Sequence, residues 1–374
     1  MPGSGTSLCR FGRGWPRVLH VLVVVVCATL SSAHAAYSGQ VSYEDTARYL
    51  AGLPPSPQSP FAKLSHAPAW QQYAAFLSWQ WGIFDRIRVR GVRSLAAKEV
   101  AQGQTVVMYM FSGPDFVYPN AIFPFATTYV LNGLEGVGDL PNIGDLAASD
   151  GAAYLERLKF SLSGFLRLGY FKTSDMHGNE SFVGIVPILA VLVVRTGHVL
   201  DGIEKISLSK NGDVGAGGDS DTDSPGVMMR FHDASGTSKS LYYFYADLSD
   251  PVISGTGILA FYKHLGSADS LIKNDSYLLH SAEFSIARDF ILGNARMVVQ
   301  DDSGIPYRYF TPAHWAVRIF GVYRAPLGQF AKFYQADLDA AAKRRPVQRG
   351  GFRIGYPRLT PDSHLLIAMR KGEG

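Results

Sequence analysis

The sequence predicts an α+β fold, with a mixed and mainly antiparallel sheet packed with helices. Three observations lead there. Apolar residues recur at helical spacing in some segments and as short β-branched or aromatic runs in others. The two kinds of segment succeed each other without the regular strand–helix alternation of a doubly wound sheet. A chain of 374 residues, 47% hydrophobic and 12% aromatic, also has enough apolar material for a large core.

The chain opens on an expected signal peptide, residues 1–35. Arg10, Arg13 and Arg17 form a basic start, Val18 to Leu30 an apolar stretch, and Ala33-His34-Ala35 a small-x-small cleavage motif before Ala36. The apolar stretch is shorter than the roughly 20 residues that span a bilayer as a helix, so no integral span is expected after cleavage. A periplasmic or secreted protein is the expectation. The leader carries three of the 35 Lys and Arg residues, which leaves 32 against 31 Asp and Glu. A near-neutral chain lacks the basic excess that phosphate-dominated nucleic-acid binding requires. Cys9 and Cys27 both lie in the leader. A thiol nucleophile, a thiolate metal site and disulfides are therefore all excluded from the mature chain.

Residues 36–67 read as an N-terminal segment whose Leu53-Pro54-Pro55-Ser56-Pro57-Gln58-Ser59-Pro60 stretch is an extended connector. Residues 68–374 read as one α+β domain. A helix starts at Pro68, with Trp70, Tyr73, Ala74, Leu77, Trp81 and Phe84 as a core-facing stripe. Arg86, Arg88, Arg90 and Arg93 follow; with Ile87 and Val89 in a strand, three guanidinium groups would share a face. Thr105 to Phe111 and Thr127 to Leu134 are buried-strand runs on either side of an aromatic loop, Phe116 to Phe125, that holds Pro119 and Pro124. Asp145 to Phe171 is mainly helical, and the apolar run Phe182 to Val194 is a buried core helix. Strands are expected at His198 to Leu208, Gly226 to His232 and Ser240 to Leu248, then helices at Ile258 to Leu265 and Ala282 to Val299. A strand from Trp315 to Tyr323, a helix from Gln329 to Lys343, and strands Gly351 to Tyr356 and His364 to Met369 close the chain. A weak internal echo suggests duplicated halves, 68–197 and 198–374: Phe165-Leu166 precedes Ser174-Asp175 much as Phe290-Ile291-Leu292 precedes Asp301-Asp302.

Three places combine a tight turn with acidic groups. In Ser112-Gly113-Pro114-Asp115, Gly and Pro fix a turn at the end of a buried strand, which would hold Ser112 and Asp115 rigidly. Asp301 and Asp302 are adjacent carboxylates ahead of Pro306, with Tyr307 and Arg308 nearby to bind a ligand. One such acid kept protonated beside the other suits general acid and base roles. Asp175 and His177 put a carboxylate and an imidazole two residues apart after a helix. Asp219, Asp221 and Asp223 alternate as in a calcium loop, but Ser224 and Arg230 stand where such a loop needs Gly and Glu. With no His-Glu-x-x-His, no close His pair and no phosphate-cradling glycine loop, no metal and no cofactor is expected.

The functional expectation is a small polar, carbohydrate-like ligand bound or hydrolysed in a cleft lined by Asp115, Asp175, Asp301 and Asp302, above aromatic faces. Two alternatives use other parts of the chain. One is a non-catalytic envelope protein that docks a protein partner on the proline-rich connector and the aromatic helix from Trp70 to Phe84, and the other is a carrier with an apolar cavity between helix and sheet for a lipid.

Overall fold

The computed structural model describes residues 42–100, 105–148, 151–172, 184–217, 224–344, 351–356 and 363–372. The expected leader, the Asp175/His177 turn and the acidic run 219–223 lie outside them. Residues Ser42–Gly374 cluster as one compact unit. Within it the described residues form the expected α+β architecture, twelve α-helices around a ten-stranded mixed sheet.

The segment before the proline-rich stretch is part of this unit. Helix α1 (Tyr43–Leu50) starts at Ser42, whose hydroxyl accepts the Asp45 N–H, and Glu44 accepts the backbone N–H of Leu200. After α2 (Pro60–Leu64) comes α3 (Pro68–Phe84), which buries Trp70, Tyr73, Leu77 and Phe84. Trp70 Nε1 donates to the Tyr49 carbonyl. The arginine-rich stretch is helical rather than extended: α3 widens through a π-turn over Asp85–Val89 into α4 (Arg90–Glu99). That turn scatters the guanidinium groups. Arg88 is buried, while Arg90 and Arg93 both reach the Asp85 carboxylate, at 3.6 and 3.4 Å.

Strand β1 (Val106–Tyr109) and β2 (Thr128–Gly133) flank the short helix α5 (Val117–Ile122), which replaces the expected loop. Helices α6 (Ile143–Ala147), α7 (Gly151–Leu168) and α8 (Ile185–Arg195) follow, and α8 is buried from Ile185 to Val194. Strands β3 (Val199–Leu208), β4 (Val214–Ala216), β5 (Ser224–His232) and β6 (Ser238–Tyr245) build one side of the sheet. Helices α9 (Asp250–Ile253) and α10 (Ile258–Leu265) lead to β7 (Ala268–Ile272), α11 (Ser285–Asn294) and β8 (Ala295–Gln300). Strand β9 (Trp315–Phe320), α12 (Ala336–Lys343) and β10 (Leu365–Arg370) complete the order.

Three local expectations change. The helix expected over Ala282 to Val299 ends at Asn294, because the following residues pair with both β7 and β10. The helix expected from Gln329 is a 3₁₀ turn, Gly328–Phe333, ahead of α12. Residues 351–356 contain no strand. A new central strand is β7, whose Asp269 and Ser270 disguise it in sequence. Arg296 on the neighbouring strand binds Asp269 at 2.7 Å, so the acid can be buried there.

The strand order is β4-β3-β5-β6-β2-β1-β7-β8-β10-β9. Antiparallel pairs are five of the nine, and they occupy the two flanks. The centre, β6-β2-β1-β7-β8, is parallel. Central strands are buried on both faces, as parallel strands usually are. Val106, Met108 and Met110 pack in the cluster of Ile258, Phe261, Tyr262, Phe290 and Ile291 from α10 and α11. On the other side of the chain's core, Phe84 of α3 meets Phe165 of α7 at 5.0 Å between ring centres. Because β1 leads to β2 on one side while β7 and β8 lie on the other, the strand order reverses between β1 and β7. Such a reversal opens a crevice at the carboxyl ends of the strands.

Candidate functional site

All five parallel strands end at one edge, so segments far apart in sequence emerge together: the turn with Asp115 after β1, Glu135 after β2, Asp247 after β6, Lys273 to Asp275 after β7, and Asp301-Asp302 after β8. A cavity of about 530 Å³ opens there. Its polar wall includes Asp115, Asn132, Glu135, Lys273, Asn274 and Asp275, and its apolar wall includes Phe111, Tyr170, Phe284, Phe330 and Tyr356.

The backbone around the cavity is unusual. Among the described residues, four non-glycine positions have left-handed φ: Phe111 (61°), Asn274 (56°), Ser276 (59°) and Tyr277 (60°). All four directly follow β1 or β7. Each such residue costs of order 1–3 kcal/mol unless its surroundings hold it, and such residues gather where function demands a particular geometry.

The centre of the site is a buried ion pair. Lys273 Nζ lies 3.1 Å from Asp115 Oδ2 and donates to the carbonyl of Gly169 at 2.7 Å and to Asn274 Oδ1 at 2.8 Å. It also sits 4.2 Å from the centre of the Tyr118 ring. Burial pushes the Asp115 carboxyl up and the Lys273 ammonium down, and each partner opposes the other's shift. With three acceptors around it, Lys273 is held as the ammonium and Asp115 as the carboxylate. Asp115 is fixed further by Tyr109 OH, which donates at 3.2 Å, and by the Tyr118 N–H at 3.3 Å. The expected acid is therefore at the site, but as the anchor of its floor.

Ser112 likewise reaches the cavity wall, where it is tied down. Its hydroxyl accepts from the Asn132 N–H at 3.0 Å and donates to backbone carbonyls of Gly113 and Asn132, at 2.8 and 3.1 Å. It stitches β1 to β2 and, among the described residues, has no base hydrogen-bonded to it that would make it a nucleophile. Asp301 lies behind the wall and shapes it. Its carboxylate accepts from the Asn274 N–H at 3.0 Å, the Ser303 N–H at 2.8 Å and the Ser303 hydroxyl at 2.5 Å. Gly355, at φ 76°, closes over it, since a Cβ there would overlap the carboxylate. Burial, then the neighbouring Asp302 charge, pushes Asp301 up to about 6. Asp302 accepts from Tyr277 OH at 2.6 Å. Arg308 faces a separate hollow with His280 and Lys332, and Tyr307 donates its N–H to Gln335, so neither belongs to the main cavity. Asp175 and His177 lie outside the described residues.

Sequence reasoning missed three residues of the cavity wall that each hold a buried polar atom. Asn132 Nδ2, Asn274 Nδ2 and Asp275 Oδ2 are buried and have no hydrogen-bond partner in the protein. Lys273 can only donate, so its bond to Asn274 Oδ1 fixes that amide with the NH₂ turned away. Asn132 Oδ1 accepts from Tyr262 OH at 2.9 Å. Asp275 Oδ1 accepts the Tyr277 N–H at 3.0 Å, while burial, then the Asp301 charge, raises this carboxyl well above the usual range. Glu135, from β2, receives Tyr243 OH on Oε2 at 3.1 Å. A signal for Glu135 was present, because it ends a buried-strand run as Asp115 does. Lys273 to Asp275 had no such signal while β7 went unseen.

Among the described residues no group of three or more His, Asp or Glu side chains is arranged to hold a metal ion, and no helix is long and apolar enough to cross a membrane. No protein-family model matches this chain, and neither characterised proteins nor solved structures show a match.

Proposed function

We propose that this is an exported protein whose cavity binds a small, polyhydroxylated, carbohydrate-like ligand. One observation carries the reading: the cavity at the carboxyl ends of the parallel strands joins a polar wall of Asp115, Asn132, Glu135, Lys273, Asn274 and Asp275 to an aromatic one. The amide and carboxyl groups of the polar wall both donate and accept, as do the hydroxyls of a sugar. Ring faces such as Tyr170, Phe330 and Tyr356 suit the C–H faces of a sugar. The Asp115–Lys273 pair cancels its own charge, so the site does not call for a strongly charged ligand.

Export rests on the leader, and amino-terminal sequencing of the protein from the extracytoplasmic fraction should begin at Ala36. Ligand class is tested by following the melting temperature of the mature chain against sugars, metal ions and lipids, because a ligand of the native state raises it by mass action. Sugars alone should raise it, and Tyr356→Ala, which removes a ring from the aromatic wall, should lessen the rise. A shift produced by lipids alone would favour the carrier reading. No shift with any class would favour a protein partner, for which the exposed Trp79 on α3 is one available apolar group.

A further inference from the structure

Helices α3 and α7 lie side by side, joined by the contact of Phe84 with Phe165. The buried stripes are Tyr73, Leu77 and Phe84 on α3 and Leu158, Leu162 and Phe165 on α7. At 3.6 residues per turn, burying those stripes turns Trp79 and Phe160 to the outer side of their helices. Both rings stand in water, 62% and 56% exposed. A groove of about 400 Å³ runs between the helices, lined by Phe76 and Gln80 of α3 and by Phe160, Ser163 and Arg167 of α7. Trp79 follows Phe76 by three residues and precedes Ile83 by four, so it stands along the same side of α3 as the groove.

The charges of this face are of one sign once its ion pairs are set aside. Glu156 is paired with Lys159 at 2.8 Å, and Asp85 is shared by Arg90 and Arg93 at 3.6 and 3.4 Å. Arg86, next after the end of α3, is exposed, as are Arg167 and Lys172 at the groove. Among the described residues none of these three cations has an acidic partner. The Lys159 ammonium lies 4.9 Å from the centre of the Phe76 ring, its stem along apolar surface and its charge toward water.

We infer that this face rests on a membrane surface rich in anionic lipid headgroups, with the Trp79 and Phe160 rings set among the heads. The cations supply the charge complementarity, since unpaired Arg and Lys attract a negative lipid surface. The rings supply the anchor, because indole and phenyl groups favour the boundary between water and hydrocarbon. Gln80, Ser163 and Arg167 keep the groove between the rings polar. A protein interface instead gathers its apolar groups into a core depleted of charge. The contact is one of lying on the membrane, as among the described residues no helix is long and apolar enough to cross it. Nothing in it depends on what fills the cavity at the strand ends.

The test is flotation of the mature chain with vesicles of phosphatidylcholine, pure or mixed about two to one with phosphatidylglycerol. Binding to the mixed vesicles, weakening as salt is raised, is the expected result. Trp79→Ala with Phe160→Ala should weaken it at least about tenfold. Arg86→Gln and Arg167→Gln should each weaken it about fivefold. All four side chains are exposed, so the melting temperature of every variant should match that of the unaltered chain. Tyr356→Ala, in the cavity, should bind vesicles as the unaltered chain does. Loss of binding there would mean that lipid enters the cavity, and would overturn the inference. Equal binding to pure and mixed vesicles, or unchanged binding in either the aromatic or the arginine variants, also overturns it. So does an absence of binding to both vesicles, which leaves the face to a protein partner. The vesicle preference is read from the unaltered chain and needs no variant to fold.

Discussion

Replacing Lys273 by Met should destabilise the fold severely, and the loss should be recovered in part by also replacing Asp115. Lys273 Nζ serves three acceptors, Asp115 Oδ2 at 3.1 Å, Gly169 O at 2.7 Å and Asn274 Oδ1 at 2.8 Å. Both members of the ion pair are almost wholly inaccessible to water. Removing the ammonium leaves a buried carboxylate unpaired, a change that costs about 3–5 kcal/mol. The orphaned Gly169 carbonyl adds about 1–3 kcal/mol at most, and the two are not fully additive. Asp115→Leu alone strands the ammonium and should cost a similar amount. In the double variant no charge is stranded, so the combined loss should fall at least about 2 kcal/mol short of the sum of the single losses. Unfolding entropy of about 2.1 cal/mol/K per residue gives roughly 0.7 kcal/mol/K for a unit of about 330 residues. Lys273→Met should then lower the melting temperature by about 4–8 °C. Urea titration followed by tryptophan fluorescence, with calorimetry alongside, measures both quantities. A single-variant loss under about 1 kcal/mol, or simple additivity in the double variant, would refute the reasoning that this pair anchors the floor of the site.

Stability should fall as pH rises from about 4 to about 6. Burial pushes Asp269 and Asp301 up to about 6, so between their unfolded and folded values the native state holds protons that the unfolded chain has released. The urea midpoint should be higher at pH 5 than at pH 7, and the reverse order would show that these acids are ionised without penalty. Tyr277→Phe removes the 2.6 Å hydrogen bond to Asp302 and should cost about 1.5–3 kcal/mol by urea titration. A smaller loss would mean Asp302 is held by its other neighbours. Gly321→Ala should cost more than about 1 kcal/mol in the same assay, because φ is 70° and the added Cβ would overlap the Ser363 carbonyl. Trp79→Ala should change stability by less than about 0.5 kcal/mol, since that ring is 62% exposed, whereas Trp70→Ala should cost about 3–5 kcal/mol. Equal effects would contradict the assignment of α3's buried face.

The sequence by itself determined the class of fold, most of the elements and half of the site's principle. Apolar periodicity found α3, α7, α8 and α10, and the runs around Val107 and Val130 were legible as buried strands. It also put acidic groups at strand ends, and Asp115, Asp301 and Asp302 do emerge at one edge of the parallel strands. Only tertiary structure decided which of them face the cavity. Asp115 meets Lys273, and Asp301 is closed off by Gly355, through contacts between residues more than fifty positions apart. Local pattern cannot show that a charge has been cancelled by a distant partner. The same limit hid β7, in which a buried Asp269 looks like a loop residue until Arg296 stands beside it. Strand order was equally invisible, and strand order is what sets the ends of β2 and β7 on opposite sides of β1. A side chain's chemistry is local, but its burial and its neighbours depend on how the whole chain closes around it.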